Sequence, residues 1–426
     1  VGCGVTHLVL EKLALGCSRT IGGVSLNKNI AIISHQACFG CGACAAKCPF
    51  SAIEMHPSPD GFDYPVVDAA KCTSCGLCLR SCPAENRVDA DSEVIRAAVL
   101  QSGDSDELAQ SSSGGVFSLL AKRVLEKGGR VYGAAWDGVD CVRHIGISDL
   151  ADIALLQKSK YVQSDASESY PDVLNDLKSG KHVLFSGTPC QVSALLLYLG
   201  KPMDGLTTVS VVCHGVPSSS MFRSYVDWLE LREKSDVTAL TFRDKSKFGW
   251  GHNIKIELSD GRIIKRPAAF DPFYGSYIKG MISRSSCYSC PFRGCDSPAD
   301  IILGDSWRSE SARDCVYPEK GISAVIVKTE RGAKLIDEIV DCVAYSNNDV
   351  AADDVLLHED PNKRSGLEER RDAVIAQYEA LGSGIFDSVL VPKVSLFDRV
   401  KKMLPPSMRL GVKRLVRSIK PGNAHE

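Results

Sequence analysis

The chain has 426 residues, a formal net charge of −2, and 44% hydrophobic against 24% charged residues. This length exceeds one small domain and predicts two or three domains. The near-neutral net charge gives no electrostatic case for nucleic acid as the main partner, and we predict none. The 18 cysteines fall in clusters typical of metal sites, which predicts a reducing compartment because ligand thiolates must not oxidise to disulfides. No apolar run approaches the roughly 20 residues that span a bilayer, so we predict a cytoplasmic protein.

Residues 1–29 form an atypical N-terminal extension. Glu11 and Lys12 interrupt its apolar stretch, which makes it a poor signal peptide. The first residue is Val1 and the first methionine is Met55, a pattern that indicates an alternative or misplaced start. We therefore base no functional hypothesis on residues before Lys28.

Residues 30–86 carry two copies of one cysteine spacing, C-x-x-C-x-x-C-x-x-x-C-P. The ligands are Cys38, Cys41, Cys44 and Cys48 in the first copy, and Cys72, Cys75, Cys78 and Cys82 in the second. This is the bacterial ferredoxin run, in which the fourth cysteine binds the other of two 4Fe–4S clusters. We thus predict that Cys82 completes the first cluster and Cys48 the second. A pair of zinc ribbons would instead need two spaced pairs of ligands for each ion.

The ferredoxin-type segment is expected to be a small α+β domain. Strands are predicted over 52–55 and 64–67, joined by a turn at Asp60-Gly61. A strand over 94–100 follows, then a polar and flexible segment over 103–113.

Residues 92–345 alternate predicted helices and strands. A helix over 116–125 ends at Gly128-Gly129, and a strand over 130–135 follows. Two units then repeat strand, tight turn and helix, which predicts an α/β core with a mainly parallel sheet. Their strands lie over 183–185 and 209–212, and their helices begin near Gln191 and Met221. The remaining predictions are a β meander over 238–258, a strand over 322–328 and a helix over 332–343.

Residues 346–426 are predicted to form a helical, basic C-terminal tail. The segment from Lys393 to Lys420 contains nine lysines and arginines and one acidic residue, Asp398. Its apolar residues recur at helical spacing. This segment is either a surface helix pair that contacts anionic lipid or an acidic partner, or the solvated face of a docked helix. We favour the second interpretation.

A further group of cysteines lies in the two repeated units and in a later loop. Cys190 and Cys213 lie in the tight turns that follow the two predicted parallel strands, and Cys287-x-x-Cys290 lies in the later loop. Cys190 follows Thr188-Pro189 at a helix start, where the helix dipole should lower its pKa. The four could hold a third 4Fe–4S cluster, with Cys295 as a competing ligand.

Other interpretations of this group stay open at this point. Cys190 and Cys213 could be small buried thiols beside a lone redox or zinc pair, or Cys190 a nucleophile with His214 as its base. Five further cysteines are expected to be bystanders, because free cysteine is commonly a small buried hydrophobe. They are Cys3, Cys17, Cys141, Cys315 and Cys342.

Three polar segments are candidate flavin contacts. A Gly-Gly helix start lets a phosphate approach backbone N–H groups at the positive end of the helix, and no G-x-G-x-x-G fingerprint of a Rossmann site is present. The candidates are Ser113, Gly114, Gly115, Lys158, Lys160, Tyr161, Gln163, Ser164, Gly187 and Thr188.

These motifs together resemble the coenzyme F420 hydrogenase/dehydrogenase beta-subunit family, over roughly residues 30–345. The matching segments are Ser112-Ser-Gly-Gly115, Lys158-Ser-Lys-Tyr-Val-Gln-Ser164, Phe185-Ser-Gly-Thr-Pro-Cys-Gln191, Cys213-His-Gly-Val-Pro-Ser218, Phe242-Arg-Asp-Lys245, Gly249-Trp250, Cys287-Tyr-Ser-Cys290 and Ala299-Asp-Ile-Ile-Leu-Gly-Asp305. The resemblance implies FAD and a third 4Fe–4S cluster on Cys190, Cys213, Cys287 and Cys290.

The resemblance also implies an oxidoreductase that passes electrons between ferredoxin-type clusters and a flavin. The implied partners are a ferredoxin-like or other redox donor and a small-molecule substrate of unknown identity, with His214, Lys160 and Arg243 as candidate substrate or proton contacts. The fused N-terminal module and the Cys-His-Gly-Val-Pro motif differ from deazaflavin-reducing members and are similar to a bacterial branch associated with cell-surface polysaccharides. Alternatives are a non-catalytic electron-transfer subunit or an F420-reducing subunit.

Overall fold

A computed structural model describes residues 28–88, 93–307, 315–348, 350–352 and 366–395. The extension before Lys28 and the basic tail after Ser395 lie outside these described residues. The strands are β1 (Ile53–Pro57), β2 (Asp63–Val67), β3 (Arg96–Ser102), β4 (Arg130–Asp137), β5 (Cys141–Ile147), β6 (Val183–Gly187), β7 (Leu206–Val211), β8 (Val237–Phe242), β9 (Asn253–Leu258), β10 (Ile263–Pro267), β11 (Ile301–Asp305), β12 (Ser323–Val327) and β13 (Val343–Asn347).

Helices lie between most of these strands. The α-helices are α1 (Ala43–Lys47), α2 (Leu77–Arg80), α3 (Ser105–Gln110), α4 (Val116–Glu126), α5 (Ile153–Leu156), α6 (Ser169–Lys178), α7 (Pro189–Leu199), α8 (Ser219–Glu233), α9 (Pro272–Ile278), α10 (Glu330–Asp337), α11 (Leu367–Leu381) and α12 (Ile385–Ser388). Short 3₁₀ turns lie at Ile30–Ile32, Leu150–Asp152, Ala268–Phe270, Ser285–Cys287, Gly294–Asp296, Pro318–Lys320, Val340–Cys342 and Gly382–Gly384.

The central sheet has eight strands in the order β13-β3-β12-β11-β7-β6-β4-β5. The middle strands β11, β7, β6 and β4 pair in parallel, and the flanking strands pair antiparallel. The predicted α/β core is confirmed, and its sheet is mixed, with the parallel pairing in the four central strands. Parallel strands need helical crossovers, and α7 supplies the one between β6 and β7.

The two faces of this sheet are both covered. Alternate residues of β6 point to opposite faces, so Val183 and Phe185 pack in one apolar cluster with residues of α6 and α7. Leu184 packs in the other cluster with residues of α4 and α10. Burial on both faces explains why the predicted strands are continuous apolar runs.

Two smaller sheets flank the core. The hairpin β1-β2 is antiparallel, as predicted, and Gly61 in its turn has φ +82°. Strands β10, β9 and β8 form an antiparallel meander. Helix α11 follows in the C-terminal region, where Tyr378 packs with the apolar cluster that contains Phe62 of the hairpin segment.

Two segments differ from the predictions. The polar segment predicted to be flexible contains α3, whose N-cap Asp104 accepts two backbone N–H bonds and whose Leu108 is fully buried. The helix predicted over 332–343 ends at Asp337, and Val343 begins β13, which pairs with β3. Local periodicity does not reveal this edge strand because its pairing partner lies about 240 residues earlier in the chain.

Within the described ranges, no helix combines the length and the apolar character needed to cross a membrane.

Candidate functional site

A cavity of about 610 Å³ opens at the carboxyl ends of β6, β7 and β11. Ser186 and Gly187 end β6, Cys213 and His214 follow β7, and Asp305 ends β11. In open α/β sheets, ligands bind in the crevice outside the carboxyl ends of the strands. The fold therefore places this cavity where a cofactor is expected.

Most of the residues predicted as flavin or substrate contacts line this cavity. They are Ser113, Gly115, Lys158, Lys160, Tyr161, Ser164, Gly187, Thr188, His214 and Arg243. Segments that are separated by up to 130 residues in the chain are thus brought to one site. Their roles as ligand contacts stay predictions.

Gly114 and Gln163 are placed differently. A Cβ on Gly114 would lie 2.4 Å from the Leu100 carbonyl oxygen and 2.5 Å from the Ser323 nitrogen, so this position packs α4 against β3 and β12. The Gln163 amide donates to the carbonyls of Phe39 and Gly40, each at 3.0 Å. Gln163 therefore connects the cavity segment to the ferredoxin-type module.

All three guanidinium nitrogens of Arg243 donate hydrogen bonds to neighbouring groups. Its guanidinium makes a bidentate pair with Asp305, at 2.7 and 2.8 Å, and donates to the carbonyls of Ser112 and Gly251. Burial raises the pKa of the Asp305 carboxyl, but Arg243 outweighs this effect and the pKa lies below its ordinary value. The geometry favours a structural role for Arg243 at the cavity wall.

Two lysines at the cavity wall have depressed pKa values. Burial lowers the pKa of Lys160 to about 7, and its ammonium donates to the carbonyls of Leu155 and Gln157, at 2.9 and 2.7 Å. Burial also lowers the pKa of Lys158, which has the left-handed φ of +63°. Both lysines can therefore change charge more easily than exposed ones.

His144 is a site residue that the sequence did not reveal. Burial lowers its pKa to about 4. Its Nε2 lies 3.0 Å from the Ser186 carbonyl oxygen, which can only accept, so Nδ1 accepts from the Ser164 hydroxyl at 2.9 Å. Gln191 donates to the same hydroxyl at 2.9 Å. A lone histidine in a strand carries no local signal of this network.

Cys190, Cys213, Cys287 and Cys290 come together beside the cavity. Cys190 is the second residue of α7, Cys213 follows β7, and Cys287 ends a 3₁₀ turn. Burial raises the pKa of Cys190, and the neighbouring thiolates of Cys290 and Cys287 raise it further. The pKa of Cys190 is thus raised and not lowered, contrary to the expectation from its place at the helix start.

Cys295 has different surroundings. It packs against the apolar cluster that contains Ile302 and Ile326, and the Lys328 ammonium donates to its carbonyl at 2.6 Å. Among the expected bystanders, Cys315 is buried near Gln101 and Cys141 accepts from Arg223. Cys342 is exposed, and Cys3 and Cys17 lie outside the described residues.

The ferredoxin cysteines form two further sets. Burial raises the pKa of Cys41, and the thiolates of Cys44, Cys82 and Cys38 raise it further. Cys48, Cys72, Cys75 and Cys78 line a separate small cavity of about 20 Å³. These neighbours agree with the predicted exchange of the fourth cysteine between the two runs.

The donor chemistry of these sets suits iron–sulfur clusters. Backbone N–H groups of Gly40 and Ala52 donate to the sulfurs of Cys38 and Cys48, at 3.4 and 3.3 Å, as is common around cluster thiolates. Crowded, buried thiols whose pKa values are raised by mutual repulsion need a positive core to bind as thiolates. In the part of the chain described, no three His, Cys, Asp or Glu side chains converge on one metal ion, whereas a cubane spreads its ligands over four irons.

Comparisons with known proteins match two parts of the chain. Residues 180–351 match the family described as the C terminus of the coenzyme F420 hydrogenase/dehydrogenase beta subunit, and residues 37–86 match the 4Fe-4S dicluster domain. No curated protein matches the chain. Among solved structures, one chain of the F420-reducing NiFe hydrogenase complex from Methanosarcina barkeri, in a xenon derivative, is similar at 17% identity. That match covers 70% of this chain and 96% of the other, with a TM-score of 0.45.

Proposed function

We propose that the chain is an iron–sulfur flavoprotein oxidoreductase, because residues 37–86 match the 4Fe–4S dicluster domain and residues 180–351 match the C terminus of the coenzyme F420 hydrogenase/dehydrogenase beta subunit. The two ferredoxin runs hold two 4Fe–4S clusters, the cysteine set at Cys190 holds a third, and the large cavity holds FAD. When bound, the clusters carry single electrons and the flavin converts them into two-electron chemistry. The substrate is a small molecule that exchanges electrons with the flavin.

One observation carries this proposal: the cavity and the Cys190 set share the start of α7. Thr188, the N-cap of α7, lines the cavity. Its hydroxyl lies 3.2 Å from the Cys190 sulfur, and Cys213 lines the cavity itself. A ligand in the cavity is therefore in direct contact with the wall that holds this cysteine set.

The cavity wall offers groups for both ends of a flavin dinucleotide. Gly115 precedes the 11-residue helix α4 with φ +85°, so the first N–H groups of α4 suit a pyrophosphate. Tyr161 and Trp307 provide aromatic surface on the same wall, which suits a planar ring. Lys158 and Lys160 are the cations of this wall, and Lys160 carries its charge at pH values below its pKa of about 7.

The exposure of the ferredoxin-type cysteines indicates where a redox donor docks. Cys75 is exposed, whereas Cys44 and Cys82 are buried. The thiolate of Cys41 acts electrostatically on Cys190, so the set of Cys38, Cys41, Cys44 and Cys82 is the one next to the third set. We therefore place the donor at the Cys75 side, with electrons passing inward from there.

The test begins with anaerobic reconstitution of the whole chain, followed by quantification of iron, sulfide and flavin. The expected result is about 12 irons and one FAD per chain. Cys190→Ser should remove about four irons, whereas Cys295→Ser, the matched control, should keep them. Wild-type iron content in Cys190→Ser together with lost activity would instead support a Cys190/His214 nucleophile.

The competing function is a non-catalytic electron-transfer subunit that docks on a separate enzyme. The exposed Cys75 suits this function equally, since a protein of this kind also needs an accessible cluster. This second function would be favoured if the purified protein shows no flavin absorbance. It would also be favoured if the reduced flavin passes electrons to no acceptor, including F420. Turnover of the purified chain with a reduced ferredoxin-like donor would favour the enzyme.

A further inference from the structure

Arg284 lies in the contact between the ferredoxin-type module and the loop that leads to Cys287. Its side chain is 1% exposed. The guanidinium donates to Gln163 Oε1 at 3.0 Å, to the Asp63 carbonyl at 3.0 Å and to the Cys38 carbonyl at 3.4 Å. All of these acceptors are neutral oxygens, and they come from three separate segments of the chain.

The surroundings of the guanidinium are tightly packed. It lies over the rings of Phe62 and Tyr64, at 4.7 and 4.8 Å from their centroids. Gly40 has the left-handed φ of +62°, and a Cβ there would lie 2.5 Å from Arg284 Nη2, so a side chain at this position would displace the guanidinium. The arginine is therefore held in one position against the first cysteine run.

A buried cation of this kind needs compensation. Among the described residues, Arg284 forms no ion pair within 4 Å, and burying an unpaired charge is costly. Asp63 meets the guanidinium through its backbone carbonyl and not through its carboxylate. The compensating negative charge therefore comes from elsewhere.

Negative charge is available on both sides of Arg284. The Cys38 carbonyl that it contacts also accepts from the Ser286 hydroxyl at 3.0 Å, and Cys287 is the next residue in the chain. The Tyr170 hydroxyl donates to the Cys41 carbonyl at 2.9 Å, and the thiolates of Cys41 and Cys190 both act on its pKa. With the proposed clusters bound, two sets of four cysteine thiolates would therefore lie on either side of this contact.

We propose that Arg284 is the counter-charge and positioning residue of this junction. Its cation offsets the negative charge of the first and third cysteine sets and so favours uptake of an electron by the clusters they hold. Its planar guanidinium group, together with the Ser286 hydroxyl, holds the first cysteine run against the Cys287 loop. The inference rests on the clusters of the proposed function and is independent of the flavin and the substrate.

The experiment compares variants of the whole chain after anaerobic reconstitution, with iron content and cluster midpoint potentials as readouts. Arg284→Met and Arg284→Gln should make the affinity of the junction clusters for an electron about tenfold weaker, which is about 59 mV for a one-electron couple. Arg284→Lys keeps the charge and should stay within about threefold of wild type. Arg130→Met is the control, since its partner Asp176 keeps Lys181 and Tyr132.

Each outcome decides between the alternatives. The counter-charge role of Arg284 is refuted if Arg284→Met or Arg284→Gln keeps its full iron content and its cluster potentials are unchanged. It is also refuted if Arg284→Lys shifts the potentials as much as these neutral variants do. If the neutral variants lose iron but Arg284→Lys retains it, the result supports a requirement for positive charge. If Arg284→Lys loses iron as well, Arg284 has only a structural role. An absent flavin or a total of about eight irons in the wild type contradicts the proposed function instead.

Discussion

Arg243 and Asp305 form a bidentate pair at the wall of the large cavity, with N–O distances of 2.7 and 2.8 Å. The arginine directly follows β8 and the aspartate is the last residue of β11. The Arg243 side chain is buried and the Asp305 side chain is partly buried, at 2% and 16% exposure. The pair therefore connects the meander to the carboxyl edge of the central sheet.

Breaking this pair should be strongly destabilising. Arg243→Met leaves Asp305 charged without its partner, so we expect the free energy of unfolding to fall by about 3–5 kcal/mol. Chemical denaturation under anaerobic conditions measures the change. Arg143→Met is the matched control, because its pair with Asp137 is half-exposed and should contribute at most about 1 kcal/mol. Similar losses in both variants would contradict a special role for the buried pair.

Gly215 should be required for the third cysteine set. It has φ +112°, and a Cβ there would lie 2.7 Å from the Ser283 hydroxyl and 3.2 Å from Cys287 Cβ. Gly215→Ala is therefore expected to displace Cys287 and to cost about four irons, as measured by iron and sulfide analysis. Gly261→Ala is the control, since its φ is also positive at +85° but no atom lies within 4 Å of the added Cβ. Full iron content in Gly215→Ala would refute the crowding argument.

His144 should make the protein sensitive to acid. Its pKa is lowered from about 6.5 to about 4 by burial, so between these values the unfolded chain binds a proton that the folded chain does not. Stability contributed by the neutral ring is therefore complete above about pH 6.5 and is lost as the pH falls toward 4, by up to about 3 kcal/mol. Unfolding of His144→Asn across this range should depend less on pH. His56→Asn, at an exposed histidine, should behave as wild type.

Lys160 should make flavin affinity depend on pH near neutrality. The pKa of about 7 means that the ammonium loses its charge as the pH rises above that value. If Lys160 contacts an anionic group of FAD, the affinity weakens by up to about tenfold per pH unit above 7. Titration of FAD from about pH 6 to pH 9 measures this slope.

The matching variant is Lys160→Met, which should bind FAD more weakly at low pH and with a flat profile. Lys181→Met removes a surface lysine that pairs with Asp176 outside the cavity, and it should keep the wild-type slope. A wild-type slope in Lys160→Met would show that another group titrates.

The sequence determined those features whose signal is local. The cysteine spacing from Cys38 to Cys82 predicts the two-cluster module because ligand geometry follows directly from short intervals along the chain. The apolar runs around Phe185 and Val209 predict the central parallel strands because burial on both faces leaves no alternation. The turn at Gly61 and the start of α7 at Pro189, directly after its N-cap Thr188, follow from equally local rules.

Only the tertiary structure decided which distant residues meet. Contacts between residues that are 20 to 250 positions apart in the chain determine three features. They are the pairing of Arg243 with Asp305, the network around His144 and the position of Arg284 between the first cysteine run and the Cys287 loop. The raised pKa of Cys190 likewise reverses the local expectation. Burial and charge–charge interactions depend on the folded surroundings of a group, and a local pattern of residue types does not contain them.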